Sequence, residues 1–110
     1  MISETISKIE ARLQNAGVLP DEQRRELLGL LATLKGEVAE LSRIDADQAQ
    51  SIAGFAEASA HEAIRPEKKP ALLHHSLEGL AASVEGFEES HPRLVQIVDR
   101  ICTTLSNIGI

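Results

Sequence analysis

Ala46-Asp47-Gln48-Ala49-Gln50-Ser51-Ile52-Ala53-Gly54-Phe55-Ala56-Glu57-Ala58-Ser59-Ala60-His61-Glu62-Ala63 carries the fold class of this chain. Six of its seven alanines stand at 46, 49, 53, 56, 60 and 63, alternately three and four residues apart. That spacing returns a side chain to one face of a helix, whereas a strand repeats every second residue. The segment therefore reads as a helix from a cap at Asp45 or Asp47 to about Ile64, with one face lined by very small side chains.

The same period runs outward in both directions. Ile2, Ile6, Ile9, Leu13 and Ala16 mark a first helix over about 3–16, with Ser3 as cap and Gly17 beyond its end. A second helix starts near Pro20, where proline is tolerated and Asp21 and Glu22 complement the dipole. It runs to about Arg43 on Leu27, Leu31, Leu34, Val38 and Leu41, and Leu28 and Leu30 widen its apolar face. Pro66 and Pro70 bracket a charged loop, because each disfavours helix in the residue before it. A fourth helix is expected over about 70–89 with Leu73, Leu77, Leu80, Val84 and Phe87. Ser90-His91-Pro92 breaks it. The fifth carries Leu94, Val98, Ile101, Leu105 and Ile108. No stretch reads as a strand.

Small residues fall in heptad registers on three of these helices. Helix two has Gly29, Ala32, Gly36 and Ala39; helix three has Ala49, Ala53, Ala56 and Ala60; helix four has Gly79, Ala82 and Gly86. Alanine is the best helix former, so its stripe alone has two explanations. Glycine costs about 1 kcal/mol against alanine inside a helix, which points to a packing reason for the glycines. The expectation is a close helix seam, in which Gly36→Leu or Ala56→Leu overpacks. A short repeat, S-[IV]-x-G-F-x-E, occurs at 51–57 and again at 83–89. Duplication and chance similarity both account for it.

Composition narrows the function. The chain has 110 residues, 43% of them hydrophobic but only 2% aromatic, and a net charge of −6. One domain over 1–110 is expected, with a core of Leu, Ile, Val and Ala. An acidic chain with two phenylalanines and no Trp or Tyr lacks both the basic face and the stacking rings of nucleic-acid binders. No apolar run has transmembrane length, and no signal-peptide core follows Met1, so a cytoplasmic protein without a membrane partner is expected. Cys102 is the sole cysteine and lies among Val98, Ile101 and Leu105, which reads as a buried thiol.

Candidate chemistry is sparse. His61, His74, His75 and His91 are the only histidines, with Glu57, Glu78 and Glu88 one turn or less away. Carboxylate-bridged metal bundles need two E-x-x-H motifs and two further glutamates, and only Glu88-Glu89-Ser90-His91 has that spacing. His61-Glu62-Ala63-Ile64-Arg65 lacks the second histidine of H-E-x-x-H. No nucleophile has a recognisable base, and no phosphate-binding glycine loop is present. No catalytic residue and no cofactor is assigned, and an enzyme is not expected. The apolar end, with Leu105, Ile108 and Ile110, is expected to dock on its own bundle or on a dimer mate, or to serve as a partner-binding tail.

Residues 51–62, Gly86-Phe87-Glu88-Glu89-Ser90-His91-Pro92 and Ile101-Cys102-Thr103-Thr104-Leu105-Ser106-Asn107-Ile108-Gly109-Ile110 resemble a bacterial family of short helical proteins known as domain of unknown function 4404. The resemblance extends over nearly the whole chain, first helix included. One departure is Arg43-Ile44-Asp45-Ala46-Asp47, where a T-H-P-like helix start is expected. The resemblance implies a bacterial, cytoplasmic protein and supplies no activity or site residue.

The chain is thus expected to form an all-α antiparallel bundle of about five amphipathic helices with coiled-coil-like pairing. The narrow stripe on helix one favours a homodimer. The leading function is a non-enzymatic interaction or scaffolding module with an unknown protein partner. The alternative is a small-ligand- or metal-binding bundle.

Overall fold

A computed structural model describes residues 2–17 and 19–109. Five helices follow one another: α1 (Ile2–Gln14), α2 (Asp21–Ser42), α3 (Ala46–Ile64), α4 (Pro70–Ser83) and α5 (Pro92–Gly109). The described residues contain no strand. The all-α bundle expected from the period of the apolar residues is the observed architecture.

Side-chain pairs fix the helix directions. Glu10 of α1 reaches Lys35 of α2, while Arg24 of α2 reaches the carbonyl of Leu13. Gln48 of α3 meets the end of α4 at Ser83, and Phe55 meets Gly79. Cys102 of α5 lies by Leu77 of α4, and Gly109 by Leu73. Glu26 of α2 bonds Thr104 of α5, and Glu37 approaches Arg93. In each of these pairings the residue numbers rise on one helix as they fall on the other, so the paired helices are antiparallel. The radius of gyration is 12.9 Å, the value expected of a compactly folded chain of this length.

Helix α3 is the hub: it touches α1, α2, α4 and α5. A helix approached from several sides has little room for long side chains. Ala49, Ala53, Ala56, Ala60 and Ala63 are all buried, together with Ile52. From Ala49 to Ala63 the alanine stripe on α3 is therefore buried, while Ala46 at its start is exposed. Larger residues from the neighbours fill the space around it: Ile6, Ile9 and Leu13 from α1, Leu34 and Val38 from α2, Leu80 from α4, Leu94 and Ile101 from α5. Burying each such side chain contributes roughly 1.5–3 kcal/mol.

Helix ends show why the elements stop where they do. Asp45 caps α3 by accepting a hydrogen bond from the amide of Gln48 at 3.1 Å. Arg24 satisfies the end of α1. Its Nε donates to the carbonyl of Leu13 at 3.0 Å, and its Nη2 donates to Ala16 and Leu19 at 2.6 and 2.9 Å. The carbonyls of Leu13 and Ala16 accept only long backbone bonds, from the amides of Ala16 and Leu19 at 3.3 and 3.2 Å, and Arg24 adds a second donor to each.

Helix α4 ends at Ser83, six residues before the expected Glu89. Ser83 Oγ donates back to the carbonyl of Leu80, and Gln48 Nε2 takes up the carbonyl of Ser83 at 2.6 Å. Gly86 then adopts φ +92°, a left-handed conformation that glycine tolerates and L residues rarely adopt. It belongs to a turn and not to a helix seam, which corrects the heptad reading at that position. The two S-[IV]-x-G-F-x-E segments accordingly differ: Gly54 is helical and Gly86 is not.

Candidate functional site

The histidines do not converge. His61 on α3 receives a contact from Arg12, with Nη2 3.2 Å from Nδ1, and its Nε2 is 3.9 Å from Glu62. His74 and His75 sit on the outer side of α4, where both approach Glu78 Oε1, at 3.5 and 3.4 Å. His91 precedes α5, bonded to Ser90 and edge-on to the ring of Phe87 at 5.5 Å. Among the described residues no three His, Cys, Asp or Glu side chains are grouped to hold a metal ion.

Cys102 is half-buried on α5, its Sγ 3.9 Å from the carbonyl of Leu77. Burial, with Asp99 adding a smaller effect, raises its pKa to about 11. A thiol held protonated is a poor nucleophile.

The C-terminal residues pack into their own bundle. Leu105 is buried in the core, and Ile108 lies against it. Gly109 is buried where a Cβ would collide with Leu73 Cδ2. Leu105 is thus not available as part of a partner-binding tail; Ile110 lies outside the described residues. Beside this end, a groove of about 390 Å³ opens between α4 and α5, with Leu73 and Leu77 as walls and Lys68 and His74 on its rim. Lys68 Nζ is engaged there by the carbonyl of Ala63.

The small residues of the other helices separate into two kinds. On α4, Gly79 is filled by a neighbour: the Phe55 ring covers it, and a Cβ at position 79 would stand 2.5 Å from Cδ1 of that ring. Ala82 is exposed. On α2 the whole stripe of Gly29, Ala32, Gly36 and Ala39 is exposed, and a Cβ built on Gly29 or Gly36 would meet no atom within 4 Å. The α2 stripe is therefore not an internal seam, a correction to the expectation that it packs within the bundle. The buried side of α2 is instead Leu27, Leu30, Leu31, Leu34, Val38 and Leu41. Periodicity identified both stripes of the helix. The leucines state that theirs faces inward, but whether the small-residue stripe also meets a neighbour is not legible, because glycine and alanine carry no burial signal of their own.

Three helix-interior glycines stand in open space, Gly29 and Gly36 on α2 and Gly54 on α3, each costing about 1 kcal/mol against alanine with no reason within the chain. The two on α2 share one exposed face with Ala32 and Ala39, which makes the outer face of α2 the candidate functional surface. Glu22, Arg25, Glu40 and Arg43 frame it, all exposed. Among the described residues none of these four has a side-chain hydrogen bond or ion pair.

A family model described as Domain of unknown function (DUF4404) matches residues 27–110, and the chain belongs to that family. The match begins inside α2 and does not take in α1, which the sequence resemblance had included. No curated protein and no solved structure matches the chain.

Proposed function

We propose that this DUF4404 protein is a non-enzymatic interaction or scaffolding module of the bacterial cytoplasm that acts as a homodimer. The observation that supports this reading is the outer face of α2, small in side chain and without a partner in the chain. Small residues let two helix axes come to the short end of the usual ~8–10 Å range. A surface helix that only faces water gains nothing from glycine. Coiled-coil-like pairing of that face with another helix is the contact it suits. No helix among the described residues is long and apolar enough to cross a membrane.

Sedimentation of the full chain over a wide concentration range, paired with thermal melts, tests the reading. A mass that rises to that of a dimer, and a melting temperature that rises with concentration and ignores added zinc, are the expected results. A chain that stays monomeric at every concentration rejects it.

The groove between α4 and α5 supports a second reading, a bundle that binds a small apolar ligand. Its walls are apolar and its rim carries Lys68 and His74, a combination suited to an apolar molecule with an anionic end. A rise in melting temperature with a short-chain alkyl carboxylate, absent with the matching alcohol, distinguishes this reading from the first.

A further inference from the structure

We infer that a second copy of this chain covers the outer face of α2, running antiparallel to it. The inference rests on the interaction-module reading and adds the partner, the direction and the register. Its basis is the order of charge along the face. Read from the N-terminus, the middle of the face carries Glu22, Arg25, Gly29, Ala32, Gly36, Glu40 and Arg43, and Asp21, Glu26 and Ala39 are exposed beside them. A two-fold axis between positions 32 and 33 of two antiparallel copies brings residues whose numbers sum to 65 level with each other. Glu22 then stands level with the partner's Arg43, Arg25 with the partner's Glu40, and Gly29 with the partner's Gly36. Each relation occurs twice, as a two-fold interface requires.

The four charged side chains are free to make these pairs, since none is engaged within the chain among the described residues. The nearest internal ion pairs use other residues: Arg24 holds Asp21, and Lys35 holds Glu10. A parallel, in-register copy would set each charge level with its own twin, Arg25 against Arg25 and Glu40 against Glu40, which is repulsive. Antiparallel helices also set the positive N-terminal end of each dipole beside the negative C-terminal end of the other. The glycine pair at the middle lets the backbones approach, so that the arginines and glutamates at both ends come within reach.

Helix α2 has 22 residues and is therefore about 33 Å long. A single helix face of that length is at the small end of specific interfaces, so the dimer is a weak one that needs high protein concentration to be seen.

The test is sedimentation equilibrium of the full-length chain from micromolar to near-millimolar concentration, with variants on the face. Gly36→Leu is expected to leave helicity intact, because nothing lies within 4 Å of that position, and to abolish the dimer. Glu22→Lys acts twice in a symmetric dimer and is expected to raise Kd by roughly three- to tenfold. Adding Arg43→Glu to it restores the wild-type Kd. A dimer that survives Gly36→Leu unchanged overturns this inference while leaving the interaction-module reading standing. Rescue of Glu22→Lys by Arg25→Glu instead of Arg43→Glu overturns the antiparallel register. A wild-type chain that never dimerises rejects the reading beneath it as well.

Discussion

The ring of Phe55 on α3 occupies the space that a side chain at position 79 of α4 would need: a Cβ on Gly79 would stand 2.5 Å from Cδ1 and 3.0 Å from Cζ of that ring. The contact joins the hub helix to its antiparallel neighbour, and it is the one place where a helix glycine outside α5 is filled from across a helix pair. Phe55 remains 41% exposed, so its ring can swing outward. Gly79→Ala should therefore show opposing effects: it gains about 1 kcal/mol of helix propensity and loses the ring contact. In a Phe55→Ala background only the gain remains. A double-mutant cycle by urea unfolding should give a coupling of about 1 kcal/mol between the two sites. Equal effects of Gly79→Ala in both backgrounds would deny the contact.

Ser59 lies on the inner side of α3, fully buried, and its Oγ has no hydrogen-bond partner. Its neighbours in the stripe, Ala56, Ala60 and Ala63, are the residues its position suits. An unmet buried hydroxyl costs about 1–3 kcal/mol, and alanine is also the better helix former. Ser59→Ala should raise the unfolding free energy by about 1 kcal/mol or more, with the denaturant slope unchanged. A loss of stability would mean that the hydroxyl has a partner.

Arg24 ties the end of α1 to the start of α2. It donates to three carbonyls and pairs with Asp21, while its side chain is only 19% exposed. Hydrogen bonds to a charged donor contribute about 1.5–3 kcal/mol each in favourable settings. Arg24→Met keeps most of the apolar stem and removes every donor. It should cost roughly 2–3 kcal/mol and raise amide hydrogen exchange chiefly at the end of α1. Exchange that rises uniformly across the chain would assign the loss to global packing instead.

These features show how far the sequence could be read. The apolar stripes were legible because the leucines and isoleucines of α1, α2 and α5 state their own burial: Ile6, Ile9, Leu34, Val38, Val98 and Ile101 are all in the core. The alanines of α3 were legible as a face, although only the structure shows that four helices surround it. Helix α4 was drawn too long because Val84 and Phe87 keep the heptad after the helix has ended. The signal for the stop lay in Gly86 and in the capping of Ser83 by Gln48, 35 residues away in sequence. The candidate surface on α2 was named residue by residue but assigned to the interior. No periodicity distinguishes a glycine facing a neighbour from one facing water.

Cys102 makes a pH-dependent contribution. Burial raises the folded-state pKa to about 11, above the unfolded thiol value of about 8.5. The folded chain therefore binds the thiol proton more tightly than the unfolded chain does. Stability from this group is complete below the unfolded value and falls as pH rises from there towards 11. The difference in melting temperature between wild type and Cys102→Ala should accordingly move against the wild type above about pH 8.5. Labelling of the native thiol should be slow at neutral pH and speed up with pH well beyond that of a free thiol. A difference in melting temperature that stays flat to pH 11 would contradict the raised value.

Ala56 and Ala58 offer a test of the hub within one helix. Ala56 is 2% exposed and faces the seam, whereas Ala58, two residues on, points to water. Leucine is nearly as good a helix former as alanine, so propensity hardly enters. Ala56→Leu adds three carbons where helices already crowd α3, and overpacking of this kind costs about 1–3 kcal/mol. Ala58→Leu adds the same carbons to an open surface and should change stability by less than about 0.5 kcal/mol. Chemical unfolding of the two variants side by side measures the contrast directly. Similar losses at both positions would mean that α3 is crowded on every side, and no loss at either would remove the close packing that its alanines are held to serve.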